Sequence, residues 1–214
     1  MPYSMEFVKP AEIEAQSFAI IEAELRRRNV SCPANQMPIL QRVIHTSADF
    51  DYIQNLTFSD GAVEKALDAL RNGADIITDT NMALSGINKK SLHALGGEAH
   101  CFISDPNVAA EAKRRGITRA MVSMEKAARL SSNNLIFAIG NAPTALIQLE
   151  QLIREHQLAP KLIIGVPVGF VNVVEAKELI LQSGVPCIVA RGNKGGSNIA
   201  AAICNALLYQ LYRA

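Results

Sequence analysis

Residues 135–146 read LIFAIGNAPTAL, and the fold class follows from how that stretch is built. Leu135 to Ile139 is a short apolar run, β-branched and aromatic enough for a strand buried on both faces. Gly140 and Asn141 interrupt it, and Pro143 suits the first turn of a helix, where its missing N–H costs nothing and Asn141 is placed as a possible cap. A strand, a small-residue turn and a helix in that order make up most of one βαβ unit.

The same grammar recurs on both sides of this stretch. Apolar runs at Ala74 to Ile77, Ala99 to Ile103, Leu162 to Val168 and Val185 to Val189 supply further strands, and helical segments at about 62–72, 107–115, 143–157, 173–183 and 197–212 separate them. Before Gly61 the pattern is helical. Ile13, Phe18, Ile20, Ile21 and Leu25 give an amphipathic segment over residues 11–28, and Ile39, Leu40, Val43 and Ile44 lead to His45 near the end of a second helix. We therefore expect an α/β fold of three layers, a mostly parallel central sheet with helices on both faces. It is Rossmann-like without a nucleotide fingerprint, because neither G-x-G-x-x-G nor G-x-x-x-x-G-K-[ST] occurs. No repeat, low-complexity tract or linker divides the chain, so residues 1–214 are expected to form a single domain.

Composition narrows the function classes. With 49% hydrophobic residues in 214, the chain can bury a substantial core. Its 21 basic and 20 acidic side chains nearly cancel and are scattered, which leaves no footprint for nucleic acid or an anionic membrane. No apolar run reaches the roughly 18–20 residues of a membrane helix, and the N-terminal stretch lacks the apolar core of a signal peptide. Cys32, Cys101, Cys187 and Cys204 form no C-x-x-C pair, which argues against a zinc knuckle or a dithiol centre and fits a cytoplasmic setting.

In an open parallel sheet, ligands bind in the crevice beyond the carboxyl ends of the strands. Four turns stand there: 78–81, 140–144, 165–170 and 191–198. In the last, Gly192, Gly195 and Gly196 permit close backbone approach while Arg191 and Lys194 add charge, a composition suited to a carboxylate or phosphate or, more simply, to reversing the chain. Asp79 is either a base or a turn residue that caps a helix. Of the four histidines, His45 alone comes with a polar cluster, Arg42, Thr46, Ser47, Asp49, Asp51 and Tyr52. His93, His100 and His156 read as solvated or structural. No G-x-S-x-G elbow appears, and no histidine pair has metal-ligand spacing on a helix.

Five segments, in order and together, resemble the precorrin-8X methylmutase family, which includes the cobalt-precorrin-8 methylmutases. They are Ser17-Phe18-Ala19-Ile20-Ile21, Arg42-Val43-Ile44-His45 with Thr46-Ser47-Ala48-Asp49, Gly140-Asn141-Ala142-Pro143-Thr144-Ala145-Leu146, Gly165-Val166-Pro167-Val168-Gly169-Phe170-Val171, and Arg191-Gly192-Asn193-Lys194-Gly195-Gly196-Ser197. The resemblance implies an isomerase of cobalamin biosynthesis. It would move a methyl group from carbon 11 to carbon 12 of precorrin-8X or cobalt-precorrin-8, giving hydrogenobyrinate or cobyrinate, without a cofactor. It also implies His45 as general acid/base, Ser17 and Arg42 as substrate-binding residues, and a homodimer. On the rim of such a tetrapyrrole substrate, Asn141, Arg191, Gly192, Gly195 and Gly196 are the further candidates. Two other readings stand beside it: a non-catalytic corrinoid-binding or carrier protein in which His45 ligates cobalt, and an α/β transferase that binds phosphate at Gly192 to Ser197.

Overall fold

A computed structural model describes residues 9–213, with the side chains of Pro10 and Ala11 left undescribed. The elements run α1 (Pro10–Arg27), α2 (Met37–Ser47), α3 (Tyr52–Asn55), β1 (Leu56–Phe58), α4 (Ala62–Arg71), β2 (Asp75–Thr78), α5 (Asn81–Gly86), α6 (Lys89–Ala94) and β3 (Ala99–Cys101). The second half continues with α7 (Pro106–Arg115), α8 (Arg119–Ala128), β4 (Leu135–Ile139), α9 (Pro143–Arg154), β5 (Leu162–Gly165), α10 (Val173–Gln182), β6 (Cys187–Ala190) and α11 (Ser197–Tyr209).

The strands form one sheet in the order β1-β6-β5-β4-β2-β3, parallel throughout except for β1, which pairs antiparallel with β6. Alternation along each strand divides the core into two layers. Ile76, Ile136, Ala138, Leu162, Ile164, Ile188 and Ala190 point to one face and pack with α1, α2, α4 and α11. Ile77, Leu135, Phe137, Ile139, Ile163, Cys187 and Val189 point to the other and pack with α8, α9 and α10. The expected three-layer α/β architecture is what the chain adopts.

All five expected strands are present, and β1 is an addition at the sheet edge. Helices α3, α5, α6 and α8 are further additions. The last expected helical segment of the middle region ends early: α9 stops at Arg154, and His156 follows in the left-handed region with φ 58°. On α1 only Ile21 and Leu25 are buried, while Ile13 and Ile20 face solvent, so the apolar stripe read for that segment is narrower than expected. The helix touches the body along one edge.

Two helices position the site. α2 buries Ile39, Leu40, Val43 and Ile44, two adjacent pairs one turn apart, and so fixes which way Arg42 and His45 face. It ends at Ala48, whose left-handed φ of 53° turns the chain sharply and drops Asp49 and Asp51 to one side. α11 is buried nearly all round, from Ile199 to Leu208, and α2 lies along it. Among the described residues, no helix is long and apolar enough to cross a membrane.

Candidate functional site

The four turns singled out from the sequence meet at the carboxyl edge of the sheet and are stitched to one another. Thr80 Oγ1 and Ser197 Oγ lie 2.7 Å apart, joining the turn after β2 to the start of α11. Gly196 N–H donates to Val166 O at 2.9 Å, and Asn193 joins Gly169 twice, accepting from its N–H at 3.1 Å and donating its side-chain amide to its carbonyl at 2.7 Å. Glycine is required where these turns touch. A Cβ on Gly195 would stand 2.1 Å from Val166 O, and one on Gly140 would stand 2.6 Å from Ser197 Cα.

Strand order reverses between β2 and β4, which makes their carboxyl ends the topological switch point. Here a doubly wound sheet would bind its ligand, and the chain has placed its own carboxylate. Buried Asp79 accepts from Gly140 N–H at 2.9 Å, Asn141 N–H at 2.8 Å and Ala142 N–H at 2.6 Å. Those are the amides of the turn that leads into α9, and an anion beside that helix end is favoured by its dipole. Asn141 does not cap α9 as its position suggested, since the N-cap is Ala142 and no side-chain cap bond is made there; Asp79, just after β2, closes the turn before the helix instead. Burial raises the Asp79 pKa above the ordinary carboxylate value despite the three donors, because desolvation is the larger effect. The helix after β2 is capped instead by Thr80, which accepts from Ala83 N–H at 3.1 Å.

His45 lies away from this switch point, in the last turn of α2, half-buried. Its ring stacks on Phe18 with centroids 5.0 Å apart and planes inclined by 18°. Among the described residues, neither ring nitrogen has a hydrogen-bond partner, and the stacked phenyl ring is what orients the imidazole. Arg42, one turn earlier, sits over the other aromatic contacts: its guanidinium carbon is 4.7 Å from the Phe18 centroid and 5.2 Å from that of Tyr209. It is also paired, with Glu14 at 2.6 Å, and Arg213 holds the second Glu14 oxygen. Those two arginines keep the Glu14 carboxyl below its usual range. Ser17 bonds back to Ile13 O at 2.8 Å within its own helix, beside Phe18. Phe18, Pro38, Gln41, Arg42 and Tyr209 line a pocket of about 240 Å³.

The glycine-rich turn connects the two regions. Lys194 Nζ bonds Asp49 at 2.5 Å and Asp51 at 2.6 Å, tying the turn after β6 to the loop that leaves α2. The Lys194 pKa is raised by these two carboxylates, and that of Asp49 is lowered chiefly by Lys194. Arg191 is likewise committed: its N–H donates to Asn55 O at 2.8 Å, and its guanidinium meets Glu178 of α10 at 2.8 Å. Gly192, Gly195 and Gly196 lie in this turn, and Asn141 stands exposed across the edge from it.

The structure thus gathers Asn141, Arg191, Gly192, Gly195 and Gly196 along the strand ends and Ser17, Arg42 and His45 along α1 and α2, with Lys194 as the bridge. Sequence reading did not pick out Glu14, Tyr209 or Lys177. Glu14 and Tyr209 are remote in sequence from the arginine they contact, and Lys177 sits in a helix where a lysine ordinarily means solvent. Larger cavities, about 460 and 560 Å³, open at the opposite end of the sheet around Asn134, Lys161 and Pro186 and hold none of the candidate residues.

Comparison with known proteins bears on the whole length. The precorrin-8X methylmutase family model matches residues 12–210. The cobalt-precorrin-8 methylmutase of Salmonella typhimurium is 48% identical over 210 residues, covering 96% of this chain and 98% of that one. The precorrin-8X methylmutase of Pseudomonas aeruginosa is 38% identical over 197 residues, covering 91% and 93%. A crystal structure of precorrin-8X methyl mutase from Thermus thermophilus superposes with a TM-score of 0.83 at 36% identity, covering 92% of this chain and 96% of the other. Length and sequence agree across both chains in each pairing, the fold agrees with that of the Thermus enzyme, and we conclude that this chain belongs to the precorrin-8X methylmutase family.

Proposed function

We propose that the chain moves a methyl group from carbon 11 to carbon 12 of cobalt-precorrin-8, giving cobyrinate, with His45 as the general acid/base. Family membership makes it an isomerase of cobalamin biosynthesis. The cobalt-containing substrate is favoured because the Salmonella relative, at 48% identity, is named for it, whereas the 38% identical Pseudomonas relative is named for precorrin-8X. Residues 1–214 act as one catalytic domain, a reading supported by a family match that runs from 12 to 210.

The observation that carries the mechanism is the stacked, half-buried imidazole with no hydrogen-bond partner among the described residues. A methyl shift within a conjugated ring needs no protein nucleophile and no change of oxidation state. It does need the ring system polarised by a proton and the migrating carbon held over its destination. His45 supplies the proton, and Phe18 fixes the plane from which it is delivered. Arg42 and Ser17 bind the substrate's edge, and the amides of Gly192 and Gly195, with Asn141 and Arg191, meet its carboxylates at the strand ends, while Gly196, whose N–H is held by Val166 O, shapes the turn that presents them. Arg42 exchanges Glu14 for a substrate carboxylate when it does so.

The pocket of about 240 Å³ beside Phe18 is smaller than the roughly 300–1,000 Å³ of ordinary small-molecule sites, so it seats an edge group and not a whole macrocycle. We extend the proposal to a homodimer in which a second copy completes the cleft. Phe170 and Val171, 91% and 76% exposed beside the glycine-rich turn, support that reading. The four free cysteines support a cytoplasmic setting. The test is to mix the purified protein with cobalt-precorrin-8 and, separately, precorrin-8X and follow the absorption spectrum. Conversion of the chromophore, faster for the cobalt form, is the expected result; a stable complex without conversion would make the protein a carrier.

A further inference from the structure

From the geometry around the turn after β6 we infer that Lys177 is a positioning residue for substrate binding: its buried ammonium holds two carbonyls of that turn inward, so that the amides of Asn193 and Gly195 face outward to receive a carboxylate of the macrocycle. The inference rests on the function proposed above and names the part of the site that takes the anionic rim.

Lys177 lies in α10 and is fully buried. Its Nζ donates to Gly192 O at 2.6 Å and to Lys194 O at 2.9 Å. In a trans peptide the C=O and the following N–H point in opposite directions, and the described residues contain no cis bond. Turning the Gly192 and Lys194 carbonyls toward α10 therefore turns the N–H of Asn193 and the N–H of Gly195 away from it. Among the described residues neither of these amides has an acceptor. Two donors two residues apart, both on the side of the turn away from α10, are available to an anion.

Charge counting assigns the same role to Lys177. Of the cations in and behind this turn, Arg191 is neutralised by Glu178, and Lys194 by Asp49 and Asp51. Lys177 has no carboxylate partner among the described residues; its contacts are carbonyl oxygens only. It is the charge left over, placed behind the turn with the free amides in front. Burial lowers its pKa to about 8, so the cation persists at neutral pH but at a cost that an anion in front of the turn offsets. A lysine that served only packing would be replaced by an apolar side chain of the same length without consequence for ligand affinity.

The experiment compares wild type with Lys177→Met, which keeps the length of the side chain and removes both donors and the charge. Turnover and binding of cobalt-precorrin-8 are read from the absorption spectrum, and folding is checked by circular dichroism. We expect KM and Kd to rise about tenfold with kcat changed by less than about twofold, because the proton donor is untouched. Unchanged KM and Kd in a folded variant would overturn the inference while leaving the proposed reaction standing. A wild-type protein that fails to convert the macrocycle would instead overturn the reaction itself. Should the variant not fold, amide hydrogen exchange on the wild type decides: protection of Asn193 and Gly195 on adding the macrocycle supports the assignment, and unaltered exchange at both overturns it.

Discussion

At the switch point between β2 and β4, the three amides of the turn before α9 are spent on the chain's own Asp79; along α2 and the turn after β6, donors and an imidazole are left without hydrogen-bond partners among the described residues. Each is an ionisable side chain beside a chain break; the sequence favours His45 and leaves Asp79 between a base and a turn residue that caps a helix. The difference teaches where this fold keeps its chemistry. A carboxylate that accepts from three backbone amides is a structural group, since moving it would leave three donors unpaired. An imidazole that stacks on a phenyl ring and makes no hydrogen bond among the described residues leaves both ring nitrogens available to a ligand. The usual ligand crevice of a doubly wound sheet has been filled from within, and the proposed site has moved to the flanking helix.

The comparison is sharpened most by removing the two ionisable groups themselves. His45→Ala should lower kcat by about 10²–10⁴-fold, with Kd for the macrocycle within about threefold and the melting temperature unchanged. Stopped-flow absorbance and a thermal scan would show both. Asp79→Asn should do the reverse. One carboxamide oxygen cannot serve three donors, so stability should fall by about 2–4 kcal/mol, roughly 5–10 °C in Tm. The kcat of the folded fraction should stay near wild type. An Asp79→Asn protein with normal Tm and lost turnover would invert the assignment of the two regions.

Lys177 gives a pH test with a defined sign. Its folded pKa of about 8 lies below the ordinary 10.5. Between those values the unfolded chain binds more protons than the folded one, so folding stability rises with pH across that window. Relative to Lys177→Met, the wild type should gain on the order of 1–3 kcal/mol as the pH goes from about 7.5 to 10, measured by urea unfolding at each pH. A constant difference would mean that the ammonium is not desolvated. The smallest effect is expected at the Arg42 end of α2. Arg42→Ala should raise KM by about tenfold, and Glu14→Gln, which frees the guanidinium from its present partner, should lower KM about two- to threefold. If Glu14→Gln also raises KM, Glu14 is holding Arg42 for the substrate instead of competing for it.

Much of the fold was legible because its strands are short, β-branched and buried on both faces, a pattern a sequence states plainly. β1 escaped because Leu56 to Phe58 is a three-residue edge strand whose partner lies more than a hundred residues away. α8 escaped although its signal was present: Thr118 caps it, and Ala120, Met124 and Ala127 fall at helical spacing. The crossover from β3 to β4 carries two helices where the ordinary βαβ unit has one. Of the site, His45 and Arg42 were legible as residues but not their circumstances. That Arg42 would be paired with Glu14, 28 positions earlier, or Lys194 with Asp49 and Asp51, some 145 and 143 positions earlier, depends on tertiary closure that no local pattern carries. Lys177 is the extreme case. A lysine in an amphipathic helix reads as solvated, and only the arrival of the turn's carbonyls explains its burial.

The most direct measurement is a crystal structure of the protein with its macrocycle bound. The account predicts a ring edge over α2 with a His45 nitrogen within about 3.5 Å of the conjugated system, Arg42 released from Glu14, and a carboxylate on the amides of Asn193 and Gly195. A macrocycle seated at the other end of the sheet, around Asn134 and Lys161 and remote from His45, would contradict it.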